Sequence, residues 1–206
     1  EDAREKVARL IGASPEEIIF TAGATESTNF IIKGYLDYRK FYGDGKNHVI
    51  TSLVEHKATL NTCKYLNGEL YSNNDPTISL FGEKKRVNRG FEASFVGVTP
   101  NGEINIEDIA LKIKENTALV SILYVNNEIG TISDVEAVSA LCRNNNIAFH
   151  SDLTQALGKM QIDIKKMGID YASCSAHKIY GPKGIGAAFM KFDAYGIAPI
   201  TALMHG

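Results

Sequence analysis

Only three cysteines occur in 206 residues, Cys63, Cys142 and Cys174, and no two of them form a Cys-x-x-Cys pair. That is too few and too scattered for a disulfide framework, so a reducing compartment is expected: the cytoplasm or, in a eukaryote, the mitochondrion or a related organelle. The five histidines, His48, His56, His150, His177 and His205, show no zinc-type spacing among themselves or with the cysteines, which argues against a zinc centre. A formal charge of -2 gives no reason to expect nucleic acid or an anionic membrane as a partner. No apolar run approaches bilayer-spanning length, and Glu1-Asp2-Ala3-Arg4-Glu5-Lys6 resembles neither a signal nor a transit peptide. There is no Gly-Lys-Ser/Thr P-loop, and Gly184-Ile185-Gly186-Ala187-Ala188-Phe189 lacks the last glycine of the dinucleotide fingerprint. Without internal repeats or a low-complexity linker, one domain is the simplest count.

What remains is ordinary globular composition, 44% hydrophobic and 22% charged, enough for a sizeable core in a soluble protein. Val7, Ala8, Leu10 and Ile11 fall on one face of a helix that already includes Glu1; with no initiating Met, a fragment is expected. Ile18-Ile19-Phe20 reads as a short buried strand, Gly23-Ala24-Thr25-Glu26 as the turn into a helix, and Asn29-Phe30-Ile31-Ile32 as that helix's apolar face. Further strands are expected at Val49–Ser52, Ala118–Val125, Ile147–His150 and Tyr171–Cys174, with helices at Ile106–Lys114 and Val135–Asn144. Near-continuous apolar strands separated by helices imply an α/β fold with a mainly parallel sheet flanked by helices on both faces. Residues 67–100 break the pattern with Gly68, Ser72-Asn73-Asn74-Asp75-Pro76 and Gly82-Glu83-Lys84-Lys85-Arg86, and read as a loop insertion around one hairpin. Its Lys84, Lys85, Arg86 and Arg89 suit a solvated surface better than an interaction patch.

In such a sheet, ligands gather beyond the carboxyl ends of the strands, and the chemically capable residues sit there. Gly23-Ala24-Thr25 opens a helix after a strand, where free N–H groups, the helix dipole and the Thr25 hydroxyl suit a phosphate; an ordinary helix cap is the competing reading. Asp152 closes one apolar run and is either a helix N-cap or a buried carboxylate in need of a cation, such as a protonated pyridine nitrogen. Lys178 follows the next run, between Ser175-Ala176-His177 and the turn-rich Gly181-Pro182-Lys183-Gly184; partial burial there would make its amine able to form an imine. An acid and a lysine closing successive strands is the arrangement that holds pyridoxal 5'-phosphate. Ser175 and His177 could add phosphate donors, and Lys183 is a weaker second lysine. His56, after the strand ending near Ser52, could stack on a cofactor ring or carry protons, or be structural. The Asn127 and Gln155 amides could bond a phenolic oxygen, and for Asn126-Asn127 a turn role competes.

Taken together, Thr21-Ala22-Gly23-Ala24-Thr25-Glu26-Ser27, Glu55-His56-Lys57-Ala58, Val125-Asn126-Asn127-Glu128-Ile129-Gly130, Asp152-Leu153-Thr154-Gln155 and Ser175 to Gly184 resemble the cysteine desulfurases of the NifS/IscS type. Those belong to the class V aminotransferase group, with the fold type I architecture of pyridoxal-phosphate enzymes. The resemblance implies Lys178 as the Schiff-base lysine, Asp152 as the partner of the pyridine nitrogen, and His56 as the stacking residue and acid/base. It further implies Asn127 and Gln155 at the phenolic oxygen, and Ala24, Thr25, Ser175 and His177 at the phosphate. The implied reaction converts L-cysteine to L-alanine and leaves a persulfide for iron–sulfur cluster assembly or other sulfur transfer. Implied partners are a second copy of the chain in a homodimer and an iron–sulfur scaffold or other sulfur acceptor.

The family's sulfur-accepting cysteine lies on a loop of a later, smaller domain, so residues 1–206 are expected to be the cofactor-binding large domain without the N-terminal arm or the small domain. Cys63, Cys142 and Cys174 read as core residues, and the fragment alone is expected to be inactive. Leu153 stands where the family usually has alanine. Another class V enzyme, a selenocysteine lyase or an aminotransferase, and a module that binds the cofactor without turnover stand as alternatives.

Overall fold

A computed structural model describes residues 2–69 and 87–205. The helices are α1 (Asp2–Ile11), α2 (Ala24–Phe41), α3 (Lys57–Leu66), α4 (Ile106–Lys112), α5 (Val135–Asn144) and α6 (Ile164–Met167). The strands are β1 (Ile18–Thr21), β2 (His48–Ser52), β3 (Glu92–Val96), β4 (Thr117–Ser121), β5 (Ala148–Asp152), β6 (Tyr171–Ser175) and β7 (Gly186–Met190), joined in one sheet of order β1-β7-β6-β5-β4-β2-β3. The pairs from β3 across to β6 are parallel, while β7 runs antiparallel to both β6 and β1.

Helices cover both faces, as the apolar strands require. On one face Val120, Ile122 and Phe149 pack with Ala8 and Ile11 of α1, Val138 and Cys142 of α5, and Ile164 and Met167 of α6. On the other, Leu119, Tyr171 and Met190 meet Ile31, Ile32, Tyr35 and Leu36 of α2, and Cys63 and Leu66 of α3. Leu119 and Val120 are adjacent, face opposite layers and are both wholly buried. This is why β4 reads as an unbroken apolar run: alternation vanishes when each side of a strand faces a helix layer.

Three expectations need correction. The segment 67–100 is no simple insertion, because Glu92–Val96 is the edge strand β3, paired parallel to β2. Its signal is weak because an edge strand buries little; only Val96 of the five residues is fully buried. Arg89, grouped with the solvated basic residues, lies half-buried against the Tyr65 ring, 3.8 Å from its centroid, where the planar guanidinium can stack. Ser72–Pro76 and Lys84-Lys85-Arg86 lie outside the described residues. Finally, the strand expected through Val125 ends its ladder at Ser121, although Ile122 and Tyr124 continue to donate backbone bonds to His150 and Asp152 of β5 (3.1 and 3.0 Å).

Two buried histidines inside the sheet are paired across strands. His150 shares hydrogen bonds with the hydroxyls of Ser121 (2.8 Å) and Ser173 (3.2 Å), and Thr28 of α2 donates to Ser173 (2.9 Å). His48 is held likewise between Thr117 (2.8 Å) and Ser94 (2.9 Å). Burial pushes the imidazole of His150 down to about 3 and that of His48 to about 4, so both stay neutral in the fold. Below about pH 6.5 the unfolded chain takes up protons that these two folded-state imidazoles refuse. Stability therefore falls as pH drops from about 6.5 towards 3, by up to about 1.4 kcal/mol per pH unit for each such group. Urea midpoints measured from pH 7 to pH 4 should show a shallower decline for His150→Gln than for the parent; equal slopes would contradict the assignment.

Candidate active site

The carboxyl ends of β2, β4, β5 and β6 and the amino end of α2 open into one cavity of about 710 Å3, a size suited to a cofactor-sized ligand. All nine residues singled out from the sequence line it: Ala24 and Thr25 from α2, His56, Asn127, Asp152 and Gln155, and Ser175, His177 and Lys178 beyond β6. The topology explains this convergence. Asp152 and Ser173 are register partners on adjacent parallel strands, so the β5 acid and the residues following β6 emerge side by side.

Each residue is placed by local chemistry. At the start of α2, the Ala22 N–H donates to the Glu26 carboxylate (2.6 Å) and Thr21 Oγ1 lies 2.8 Å from the Ser27 hydroxyl. These contacts close the turn, while the N–H groups of Ala24 and Thr25, in the first helical turn, have no helix carbonyl to bond. The approach is tight: a Cβ on Gly186 of β7 would stand 2.5 Å from Gly23 Cα and 2.6 Å from the Cys174 carbonyl, so glycine at 186 lets this turn settle against β7. On the opposite side, Asn126 takes the turn role, its Oδ1 accepting from the N–H groups of Glu128 (2.8 Å) and Ile129 (3.0 Å) and its amide donating to the Val54 carbonyl (3.0 Å). That leaves Asn127, exposed, to face the cavity.

His56 caps α3 by accepting the Ala58 N–H at Nδ1 (3.1 Å). A neutral imidazole with Nδ1 as acceptor carries its proton on Nε2. The Lys178 turn, a short helix over Ala176–Lys178, is tied at both ends: Ala176 N–H donates to the Ile185 carbonyl (3.0 Å), and the Ala176 carbonyl accepts from Ile179 (3.0 Å) and Gly181 (2.9 Å). Ser175 Oγ and His177 Nδ1 share a 2.7 Å hydrogen bond. Lys178 itself is exposed, so the partial burial expected of it is not found. Lys183 lines the same cavity, so geometry alone leaves two amines in reach.

Asp152 is the most constrained of the set. It is 6% exposed, its Oδ1 accepts the Thr154 N–H (2.9 Å), and no cationic side chain forms an ion pair with it among the described residues. Burial raises its carboxyl above the usual range, against which the Thr154 hydrogen bonding and the nearby His56 pull only in part. The buried-acid reading is met and the helix N-cap reading is not: no helix begins between Asp152 and α6, so one oxygen closes only a turn at Thr154, and the carboxyl lines the cavity.

The aminotransferase class-V family model matches residues 1–71 and 81–202. The chain belongs to the class V aminotransferase family. Among curated relatives, the cysteine desulfurase IscS of Buchnera aphidicola subsp. Baizongia pistaciae is 47% identical over 204 residues, 99% of this chain and 44% of that protein. The Plasmodium falciparum cysteine desulfurase IscS is 43% identical over 207 residues, 100% of this chain and 34% of that protein. Among solved structures, one described as SspA in complex with cysteine superposes with a TM-score of 0.83 at 38% identity, covering 99% of this chain and 52% of the other. A NifS-like protein gives 0.82 at 38%, covering 100% and 49%. The chain thus spans less than half the length of these curated relatives and about half of the two solved chains.

The three cysteines bear out their reading as core residues of this family member. Cys63 and Cys142 are buried and Cys174 is half-buried within β6. Burial pushes the Cys142 thiol up to about 12 and that of Cys174 to about 11, and raises Cys63 as well; none is a thiolate at neutral pH, so none is a ready nucleophile. Leu153 is 1% exposed within the face that carries Phe149 and is not among the residues lining the cavity, so its side chain fills core. Sequence reasoning quoted Glu55 beside His56 without giving it a role, although it is buried at 6% exposure, because an acid beside a helix start reads as an ordinary surface charge.

Proposed function

We propose that this chain is the cofactor-binding part of a pyridoxal-phosphate-dependent cysteine desulfurase. The observation that carries the reading is Asp152: a buried carboxylate without a cationic partner, lining a cavity that also holds Lys178 and the unbonded N–H groups of α2. A protonated pyridine nitrogen supplies the missing cation, and first-turn N–H groups with Thr25, Ser175 and His177 suit a phosphate. Lys178 would hold the cofactor covalently, and Asn127 and Gln155 would bond its phenolic oxygen.

When bound, the cofactor supplies an electron-poor ring that accepts the electron pair released at the substrate Cα. The protein's own part is to hold that ring cationic through Asp152, to orient it with Asn127, Gln155 and the phosphate site, and to move a proton. His56 is suited to that last task because its Nδ1 is engaged by Ala58 and its Nε2–H is free to donate into the cavity. The substrate follows from the relatives: the curated ones are named cysteine desulfurases and one solved neighbour is described with cysteine. In the proposed reaction the C–S bond of L-cysteine breaks, sulfur passes to an enzyme thiolate as a persulfide, and the carbon skeleton leaves as L-alanine. The acceptor is a cysteine other than Cys63, Cys142 and Cys174, whose thiols are held protonated in the fold. A homodimer, delivery to an iron–sulfur scaffold or other acceptor, and a reducing compartment complete the proposal.

The test is titration of pyridoxal phosphate into the full-length protein, followed by addition of L-cysteine with alanine as readout. Saturable binding and alanine formation are expected. Binding with turnover of selenocysteine alone would move the assignment to a selenocysteine lyase, and no binding would remove it.

A further inference from the structure

We propose that Glu55 is a positioning residue for His56: its buried carboxyl clamps the β2–α3 turn to the backbone just past β4, fixing where the imidazole stands in the cavity shared with Asp152. The inference rests on the cofactor-site reading above. Glu55 Oε1 accepts two hydrogen bonds from different strands' ends, the Ser52 hydroxyl closing β2 (2.8 Å) and the Leu123 N–H beyond β4 (3.0 Å). The next residue is His56, whose Nδ1 receives the Ala58 N–H. Asn126 ties the same turn a second time by donating to the Val54 carbonyl (3.0 Å). Removing the carboxyl would leave the buried Leu123 N–H unsatisfied and free the turn at the point where His56 branches from it.

The other oxygen, Oε2, is buried and has no partner among the described residues, an arrangement a neutral acid tolerates far better than a carboxylate. The surroundings favour the neutral form. From β5 comes Asp152, from α3 the Cys63 thiol, and beside it His56; no cationic side chain pairs with Glu55 among the described residues. Burial, with a smaller contribution from Asp152, pushes the carboxyl up to about 8 against the two hydrogen bonds that pull it down. Because the folded state holds this proton more tightly than the unfolded chain, stability contributed at Glu55 is full below about pH 4.5 and declines as pH rises towards 8. A glutamine keeps the accepting oxygen and is neutral at every pH.

The experiment compares Glu55→Ala, Glu55→Gln and Ser52→Ala in the full-length protein, reading hydrogen exchange at the Ala58 and Leu123 amides, pyridoxal phosphate affinity, and melting temperature from pH 6.5 to 9. Glu55→Ala should expose both amides and weaken cofactor binding by about tenfold, the equivalent of a lost buried hydrogen bond. Glu55→Gln should restore protection and affinity to within about twofold of the parent, and should melt with less decline towards pH 9. Should Glu55→Ala fail to fold, Ser52→Ala, which removes one of the two clamp bonds, must still loosen the Leu123 and Ala58 amides. Unchanged protection in Glu55→Ala or Ser52→Ala, or a Glu55→Gln variant as impaired as alanine, overturns the proposal. If the parent binds no pyridoxal phosphate, the functional reading fails by itself, and the two amides still decide the clamp.

Discussion

Asp152→Ala is expected to weaken pyridoxal phosphate binding by about a hundred- to a thousandfold, the range that follows when one partner of a buried ion pair is removed. The same substitution should stabilise the cofactor-free protein. Those opposite signs have one cause. Without a cation beside it, the Asp152 carboxyl is raised above its ordinary value of 3.8 by burial, so the folded state loses stability as pH rises from about 3.8 through that raised value. Binding a pyridinium reverses the penalty. Asp152→Asn sharpens the test because it keeps the oxygen that accepts the Thr154 N–H and removes only the charge: the empty protein should melt higher, and the rise in melting temperature on adding pyridoxal phosphate should shrink. A parent and an Asp152→Asn variant with equal affinities would show that the carboxylate answers to the fold and not to a ligand.

How much of this was legible in the sequence depended on burial. β4, β5 and β6 announced themselves because helices on both sides make nearly every position apolar. β7 was passed over: Gly186-Ala187-Ala188-Phe189-Met190 has few strand-forming residues, and its leading glycine answers to the 2.5 Å approach of the Gly23 backbone, a contact between segments 163 positions apart that no local pattern records. That β7 runs antiparallel is likewise a property of its neighbours. Edge strand β3 was hidden for the opposite reason, since so little of it is buried. At the site, the residue types were readable because chemistry restricts them: an acid, an amine, an imidazole and helix-start amides each follow a strand. The strand order that brings them side by side was not, because it depends on how distant segments pair. The same holds for Glu55, whose partners Ser52 and Leu123 meet only when β2 packs beside β4.

The amine assignment is the step on which covalent chemistry depends, and two lysines line the cavity. Lys178→Ala should abolish the long-wavelength absorbance of lysine-bound pyridoxal phosphate and with it all alanine formation, while Lys183→Ala should retain the covalent link. The preference for Lys178 is geometric. Its turn is fixed by three backbone bonds on Ala176, and a Cβ added to Gly181 would press on the Ala176 side chain at 2.9 Å and its carbonyl at 3.0 Å, so the chain here has one tightly specified path. Ile179 is packed in the same way, within 2.9 Å of where a Cβ on Gly158 would sit. Lys183 stands between Pro182 and Gly184 beyond that turn, exposed and without a hydrogen bond to another side chain among the described residues. A reactive amine must return to one position in each cycle, and a backbone held on one path lowers the entropic cost of doing so. Borohydride trapping followed by peptide mapping gives the direct answer: label on the peptide containing Lys178 is expected, and label on Lys183 in the unmodified sequence would transfer the role.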